Sequence, residues 1–167
     1  MVSRELRRIA AAAASINVLA TFVTIAPSYA DCGDPDQSPC TGPVPSVDQV
    51  LAVLSGLTDP DIPAATKNNI VTPGFTPDEA GLIDNHLNRM NAHGHILPLP
   101  FVVTDIQPAP NNLAGATLAT TGTPRQATNP RPIVLVGQGG RWLLAHDSAM
   151  AELDVFWRAA SRYMDYN

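Results

Sequence analysis

The chain lacks most of what would make its chemistry easy to read. Two cysteines among 167 residues allow one disulfide of one connectivity and nothing more. Basic residues are few, 10 Lys and Arg against 15 Asp and Glu. Without a cationic surface the protein gains no counterion-release energy on nucleic acid, and anionic lipid head groups repel it. No zinc-protease helix motif, phosphate-binding loop, dinucleotide glycine fingerprint or G-x-S-x-G nucleophile elbow is present. The run "GQGGR" has neither the spacing nor the setting of a nucleotide loop. Nothing in the sequence asks for a cofactor, a metal or a catalytic group.

What is present begins with an address. "MVSRELRRIAAAAASINVLATFVTIAPSYADC" joins a basic cluster (Arg4, Arg7, Arg8) to an apolar run from Ile9 to Ala26 and to the small residues Ser28 and Ala30. That is the layout of a signal peptide, residues 1–30, with cleavage expected after Ala30 and no stable membrane insertion afterwards. An acidic residue, Asp31, precedes Cys32, which does not suit lipid attachment. Removing Arg4, Glu5, Arg7 and Arg8 with the leader leaves 7 basic and 14 acidic residues, so the mature chain is more acidic still. Residues 31–45 read as an irregular arm rich in Pro, Gly, Asp and Ser. In an oxidising compartment Cys32 and Cys40 are expected to form a local disulfide loop. Asp34 and Asp36 in that loop lack the central Gly and closing Glu of a calcium loop.

Residues 46–167 suit one α+β domain. Ser46 and Gln49 form a capping box for a helix with a stripe of Val47, Val50, Leu51, Leu54 and Leu57, ended by Asp59-Pro60. A short helix is expected from Pro63 to about Ile70. Thr76, Pro77, Asp78 and Glu79 start another, burying Leu82, Ile83, Leu87 and Met90, with Gly94 as its stop. The period then becomes extended, with four strand candidates: "LPLPFVVTDIQ", "LAGATLATT", "RPIVLVGQ" and "RWLLAHD". Gly139-Gly140 and Asn111-Asn112 mark turns, and "GTPRQATNPR" a long loop. Val134, Leu135 and Val136 are apolar on both faces, which predicts a central strand. Asp147-Ser148 then caps a last helix carrying Met150, Leu153, Phe156, Trp157 and Ala160. The expected architecture is helices packed on one face of a curved four-stranded antiparallel meander, with a C-terminal helix. That order also occurs in cystatin-like and related cone-shaped folds, an analogy that carries no function.

The histidines are the natural suspects for a site. His86 and His93 are seven residues apart on one helix, about 10 Å along its axis, too far for one ion. His93 and His95 lack a third ligand, and His93 in a last turn interacts favourably with the exposed carbonyls there. His86 borders an apolar stripe. His146, Asp147 and Ser148 have the residue types of a hydrolase triad, but strand neighbours point to opposite faces, and Ser148 reads as a helix cap.

The blocks "SVDQVLAVLSGLTDPDIPAATKNNIV", "LIDNHLNRMNAHGHILPLPFVVTDIQPA" and "GQGGRWLLAHDSAMAEL" are similar to the mycobacterial low-molecular-weight secreted T-cell antigen family, found in culture filtrates. The similarity covers about residues 46–153. It implies a signal peptide, an exported single α+β domain and no established enzymatic activity, and it supplies no catalytic residues. The cysteine loop and the end "DVFWRAASRYMDYN" depart from the family. The expectation is therefore a secreted or cell-envelope, non-enzymatic module that binds an unknown protein. The second expectation is a carrier of a small apolar ligand or lipid, whose pocket walls would be Val102, Ile106, Leu135 and Leu144. Phe156 and Trp157 are expected to pack in the core, with Tyr163 and Tyr166 free for a partner.

Overall fold

Helices begin where the sequence supplies caps. In the computed structural model, which describes residues 38–93 and 96–164 and side chains as far as Arg162, the Gln49 amide donates to Ser46 Oγ and the Ser46 amide donates to the Gln49 side chain. This box starts α1, Val47–Thr58. Thr76 and Glu79 make the same exchange at the head of α2, Pro77–Ala92, where Pro77 needs no hydrogen-bond partner. Val50, Val53, Leu54 and Leu57 of α1 and Ala80, Ile83, Leu87 and Met90 of α2 are buried. Three residues of the expected stripes are not: Leu51 is half-buried, Val47 is exposed, and Leu82 is 60% exposed. Leu82 stands about 100° round the helix from Ile83, off the stripe that Ile83, Leu87 and Met90 share. His93 is the last residue of that segment to be described, its amide donating to the Arg89 carbonyl. Gly94 and His95 lie outside the described residues.

Between the two helices the expected short α-helix is a 3-10 helix, Ala64–Asn69. Its caps favour a tight turn: the Thr66 hydroxyl donates to the Pro63 carbonyl, and the Ala64 amide donates to Asp84 Oδ1 on α2, each at 2.8 Å. Within it Lys67 is fully buried. Its Nζ donates to the carbonyls of Gly56, Leu57 and Asp59, at 2.9, 2.7 and 2.9 Å. These are carbonyls that the end of α1 leaves without helical partners. Burial pushes the amine down to about 8, against the pull of Asp59 and Asp84.

The four expected strands form β2, Phe101–Ala109; β3, Leu113–Thr120; β4, Arg131–Gln138; and β5, Arg141–Ala145. They pair antiparallel in sequence, and β4 holds the centre of the sheet, order β1-β5-β4-β3-β2. The four-stranded expectation misses β1, Val71–Thr72, which runs parallel to β5. Two residues carry no readable period, and β1 exists because the 3-10 helix lays the chain along β5, where the Leu144 amide donates to the Ile70 carbonyl at 2.8 Å. β2 starts at Phe101 rather than Leu97, since Pro98 and Pro100 have no N–H for a ladder. At this sheet edge a bulge between Thr104 and Gln107, with Asp105 at φ 52°, interrupts the pairing. Gly139 and Gly140 take φ of 58° and 75° in the β4–β5 hairpin, which only two left-handed residues close.

Helices cover one face of the sheet. Val103, Ala116, Leu118, Ile133, Leu135 and Leu144 from the strands meet Leu54 and Leu57 of α1, Met90 of α2 and Phe156 of α3, His146–Met164. Val102 and Val134, on the other face, are 43% and 40% exposed. The apolar run in β4 thus reflects a central position without burial on both sides. The last helix begins one residue before the expected cap, at His146, and Ser148 serves the sheet instead: its Oγ accepts from the Val134 amide at 2.9 Å, where β5 has ended. Inside α3, Glu152 is almost wholly buried and takes both its carboxylate oxygens to the Arg131 guanidinium, Nε to Oε1 at 3.1 Å. Replacing Lys67 by Met removes the donor to three carbonyls and is expected to lower stability by about 3 kcal/mol. Urea denaturation checks it; a loss below about 1 kcal/mol would show that other donors reach those carbonyls.

Candidate functional site

The inner face of α3 is narrow. Ala149, Glu152, Phe156, Ala159 and Ala160 are its buried residues, so Trp157, expected inside, falls half-buried on its flank with Met150 and Leu153. There they meet α2. Ile83, Leu87 and Met90 from α2, with Met150, Leu153 and Phe156 from α3, line a recess of about 150 Å³, with Leu82 and His86 at its side.

A stack of rings stands beside it. The His86 imidazole lies on the Trp157 indole, centroids 3.9 Å apart and planes 3° from parallel. The Arg89 guanidinium, one turn along α2, lies 5.1 Å from the same ring centroid. Such contacts are each worth about 0.5–1.5 kcal/mol. Burial and then the Arg89 charge hold the His86 imidazolium below its usual range, so the ring is neutral at neutral pH. Arg158 and Asp154 pair across one turn of α3 at 2.7 Å. The result is an apolar recess with a polar rim.

His146 belongs to a different arrangement. Its Nε2 lies 3.2 Å from Glu79 Oε2 on α2 and its Nδ1 3.4 Å from Asp147 Oδ1. Phe75 packs against the ring at 5.7 Å. Burial disfavours the imidazolium, but hydrogen bonds to Glu79 and Asp147 outweigh it and raise the pKa. Glu79 is itself held low, first by the Thr76 amide and hydroxyl and then by His146. Ser148, the third member of the triad-like sequence, is occupied by β4. The group is a clasp between the starts of α2 and α3.

Among the described residues no three His, Cys, Asp or Glu side chains gather as a metal set. Glu79 and His86 are two turns apart on α2, about 10 Å, so the two histidine sites are separate. The four suggested pocket walls do not come together as a pocket: Leu135 and Leu144 pair across the ladder and are fully buried in the core, Ile106 is half-buried, and Val102 lies on the exposed face. None of them lines the recess. Cys32 and Ala30 lie outside the described residues, and Cys40 is not free. The side chain of Tyr163 and all of Tyr166 also lie outside them. Among the described residues no helix is long and apolar enough to cross a membrane.

Residues 43–158 match the family model described as low molecular weight antigen MTB12, C-terminal domain. Low molecular weight antigen MTB12 of Mycobacterium tuberculosis is 37% identical over 113 residues, 67% of this chain and 66% of that protein. The Mycobacterium bovis protein of the same name is 36% identical over the same shares. The MTB12 homolog of Mycobacterium leprae is 30% identical over 115 residues, 69% of this chain and 68% of its own. The chain thus spans just under two thirds of the length of the first two relatives.

The clasp has a pH signature. A His pKa raised above its ordinary 6.5 means the folded state binds the proton more tightly, so the stabilisation is complete below that value and is lost as pH rises through the raised one. Glu79, held below 4.5, loses its part only in stronger acid. Melting temperature is therefore expected to fall from weakly acid to weakly alkaline pH in the wild type and to fall less in Glu79→Gln. NMR titration of the His146 ring in that variant should show its pKa moving back down, and an unmoved pKa would dissolve the clasp.

Proposed function

On the premise that the chain belongs to the low molecular weight antigen MTB12 family, through its C-terminal domain, we propose that it is an exported, non-enzymatic interaction module of the cell envelope or medium. The recess between α2 and α3 is its contact point with a polypeptide partner. One observation carries this: the recess has room for one apolar side chain and no more. Its 150 Å³ equals the size of a cavity that holds benzene, and is half the lower limit of ordinary small-molecule sites. A lipid does not fit it. A leucine, methionine or aromatic anchor from a partner does, with Leu82 and the Trp157–His86–Arg89 stack extending the contact around it. Central apolar anchors ringed by polar groups supply most of the energy of such contacts.

Indole stands in for that anchor. Added to the labelled protein, it is expected to shift the Met90 and Met150 methyl resonances, and Met150→Glu is expected to abolish the shift while the core signals stay in place. Methyl resonances that ignore indole would remove the recess as a binding point. A lipid retained in native mass spectrometry of the gently purified protein would support the carrier reading instead.

Export is part of the proposal. The export-type leader, and the antigen names of the relatives, support cleavage after Ala30 and a Cys32–Cys40 disulfide. The intact mass of protein secreted by a mycobacterial host is expected to equal Asp31–Asn167 less two hydrogens, with a gain of two hydrogens on reduction. A chain that keeps its leader, or a mass unchanged by reductant, would contradict it.

A further inference from the structure

A second cleft, of about 320 Å³, lies at the end of α1 and plays no part in the recess just described. Ser55 and Asp59 at the end of α1, Asn91 at the end of α2, and Leu97, Pro98 and Phe101 from the segment leading into β2 are among the residues that line it. At about 30 Å³ per water it has room for roughly ten.

Much of its wall is irregular chain beyond the end of α1 and before β2, yet both stretches are fixed by hydrogen bonds. On one side Lys67 Nζ holds the carbonyls of Gly56, Leu57 and Asp59. On the other, Gln126 Nε2 donates to the carbonyls of Ile96 and Pro98, at 3.0 and 3.4 Å, and the Thr121 amide donates to the Pro100 carbonyl at 2.9 Å. A cleft held open in this way saves its ligand the cost of ordering it. Of the polar side chains in it, the Thr58 hydroxyl donates to the Leu54 and Ser55 carbonyls, while the others are largely uncommitted. Among the described residues the Ser55 hydroxyl and the Asn91 amide find no hydrogen-bond partner, and Asp59 uses only Oδ1, which accepts from the Asp61 amide at 2.9 Å.

The chemistry of the lining selects the ligand. With the Lys67 ammonium spent on backbone carbonyls behind the cleft, phosphates and fatty-acid head groups find no net attraction beside the Asp59 carboxylate. The Lys67 charge behind the Asp59 carbonyl offsets that carboxylate, so a simple cation gains little. An alkyl chain would cover the Ser55 hydroxyl, the Asn91 amide and Asp59 Oδ2 without pairing them, at a cost of about 1–3 kcal/mol each. What satisfies the lining is a neutral molecule with hydroxyl donors along one edge and C–H groups on the other, set against Leu97, Pro98 and Phe101. We propose that this cleft binds a single sugar ring, free or at the end of a glycan chain. Hydroxyls donate to Asp59 Oδ2 and exchange hydrogen bonds with Asn91 and Ser55, and the C–H face covers the apolar wall. The site is independent of the α2–α3 recess and stands or falls without it.

The test is an NMR titration of the full mature protein with the methyl glycosides of glucose, galactose, mannose and arabinose. At least one is expected to shift the resonances of Ser55, Asp59, Asn91 and Phe101 saturably, with Kd in the millimolar range. Ser55→Ala and Asn91→Leu, both at exposed side chains, are expected to weaken it at least about tenfold while the core spectrum and the indole response stay unchanged. An oligosaccharide bearing the same terminal ring separates the two sources: tighter binding marks a glycan end, equal binding a free sugar. No response to any glycoside, an equal response to glycerol, wild-type affinity in both variants, or displacement by a proline-rich peptide that binds there more tightly would each overturn the proposal.

Discussion

The helical layer depends on one buried ammonium group. α1 ends without a basic residue in its last turn and without a glycine stop, and the Thr58 hydroxyl reaches only the Leu54 and Ser55 carbonyls, so the carbonyls of Gly56, Leu57 and Asp59 need another donor. Lys67 supplies it from the next element, with three hydrogen bonds. Taking an ammonium ion out of water costs several kcal/mol. Three carbonyls aligned with the negative end of a helix, together with the Asp59 and Asp84 charges, offset that cost. The consequence runs outward: with Lys67 seated, the 3-10 helix is fixed against α1, Ile70 offers its carbonyl to Leu144, and Val71 becomes a fifth strand. The same interaction sets one wall of the cleft beside Asp59.

Glu152 plays the matching part on α3. Its carboxylate is buried against the sheet and held by Arg131 at the head of β4. The side chains around it on that face are small, three alanines besides Phe156. Small inner residues let a helix sit close to the layer beneath, and the larger side chains are then displaced to its sides. This is why Met150, Leu153 and Trp157 line the junction with α2. The recess is a by-product of how α3 is seated, and its size follows from the side chains that seating pushed aside.

Much of the fold was legible in the sequence because its signals are local. Both capping boxes, the glycine hairpin and the limits of β4 follow from spacing within a few residues. Errors arose where the deciding partner was far along the chain. Ser148 reads as a helix cap until a strand amide fourteen residues earlier claims it. Nothing around Lys67 announces burial, since its acceptors are backbone carbonyls that every residue carries. Glu152 did leave a trace: a carboxylate three residues after Ala149 and four before Phe156 stands at core spacing and demands a cation. The clefts were not legible at all. The residues suggested as pocket walls are strand residues with apolar neighbours, and in a well-packed sheet that pattern gives solid core, as at Leu135 and Leu144, or an outward face, as at Val102. Cavities form instead where unlike elements fail to mesh, at α2 against α3 and at the end of α1.

The two described histidine pairings answer acid in opposite order, and this separates the clasp from the recess. As pH falls through neutrality, His146 takes its proton first, because Glu79 and Asp147 raise its pKa. That tightens the contact between the starts of α2 and α3. His86 resists, because burial and Arg89 disfavour a second cation over Trp157. Near neutrality the His86 ring therefore stays uncharged while the clasp gains strength. Only further acidification charges His86, which sets an imidazolium beside the Arg89 guanidinium already on the Trp157 ring and makes the entry of an apolar anchor less favourable. An interaction made through this recess is thus insensitive to pH near neutrality and yields in acid.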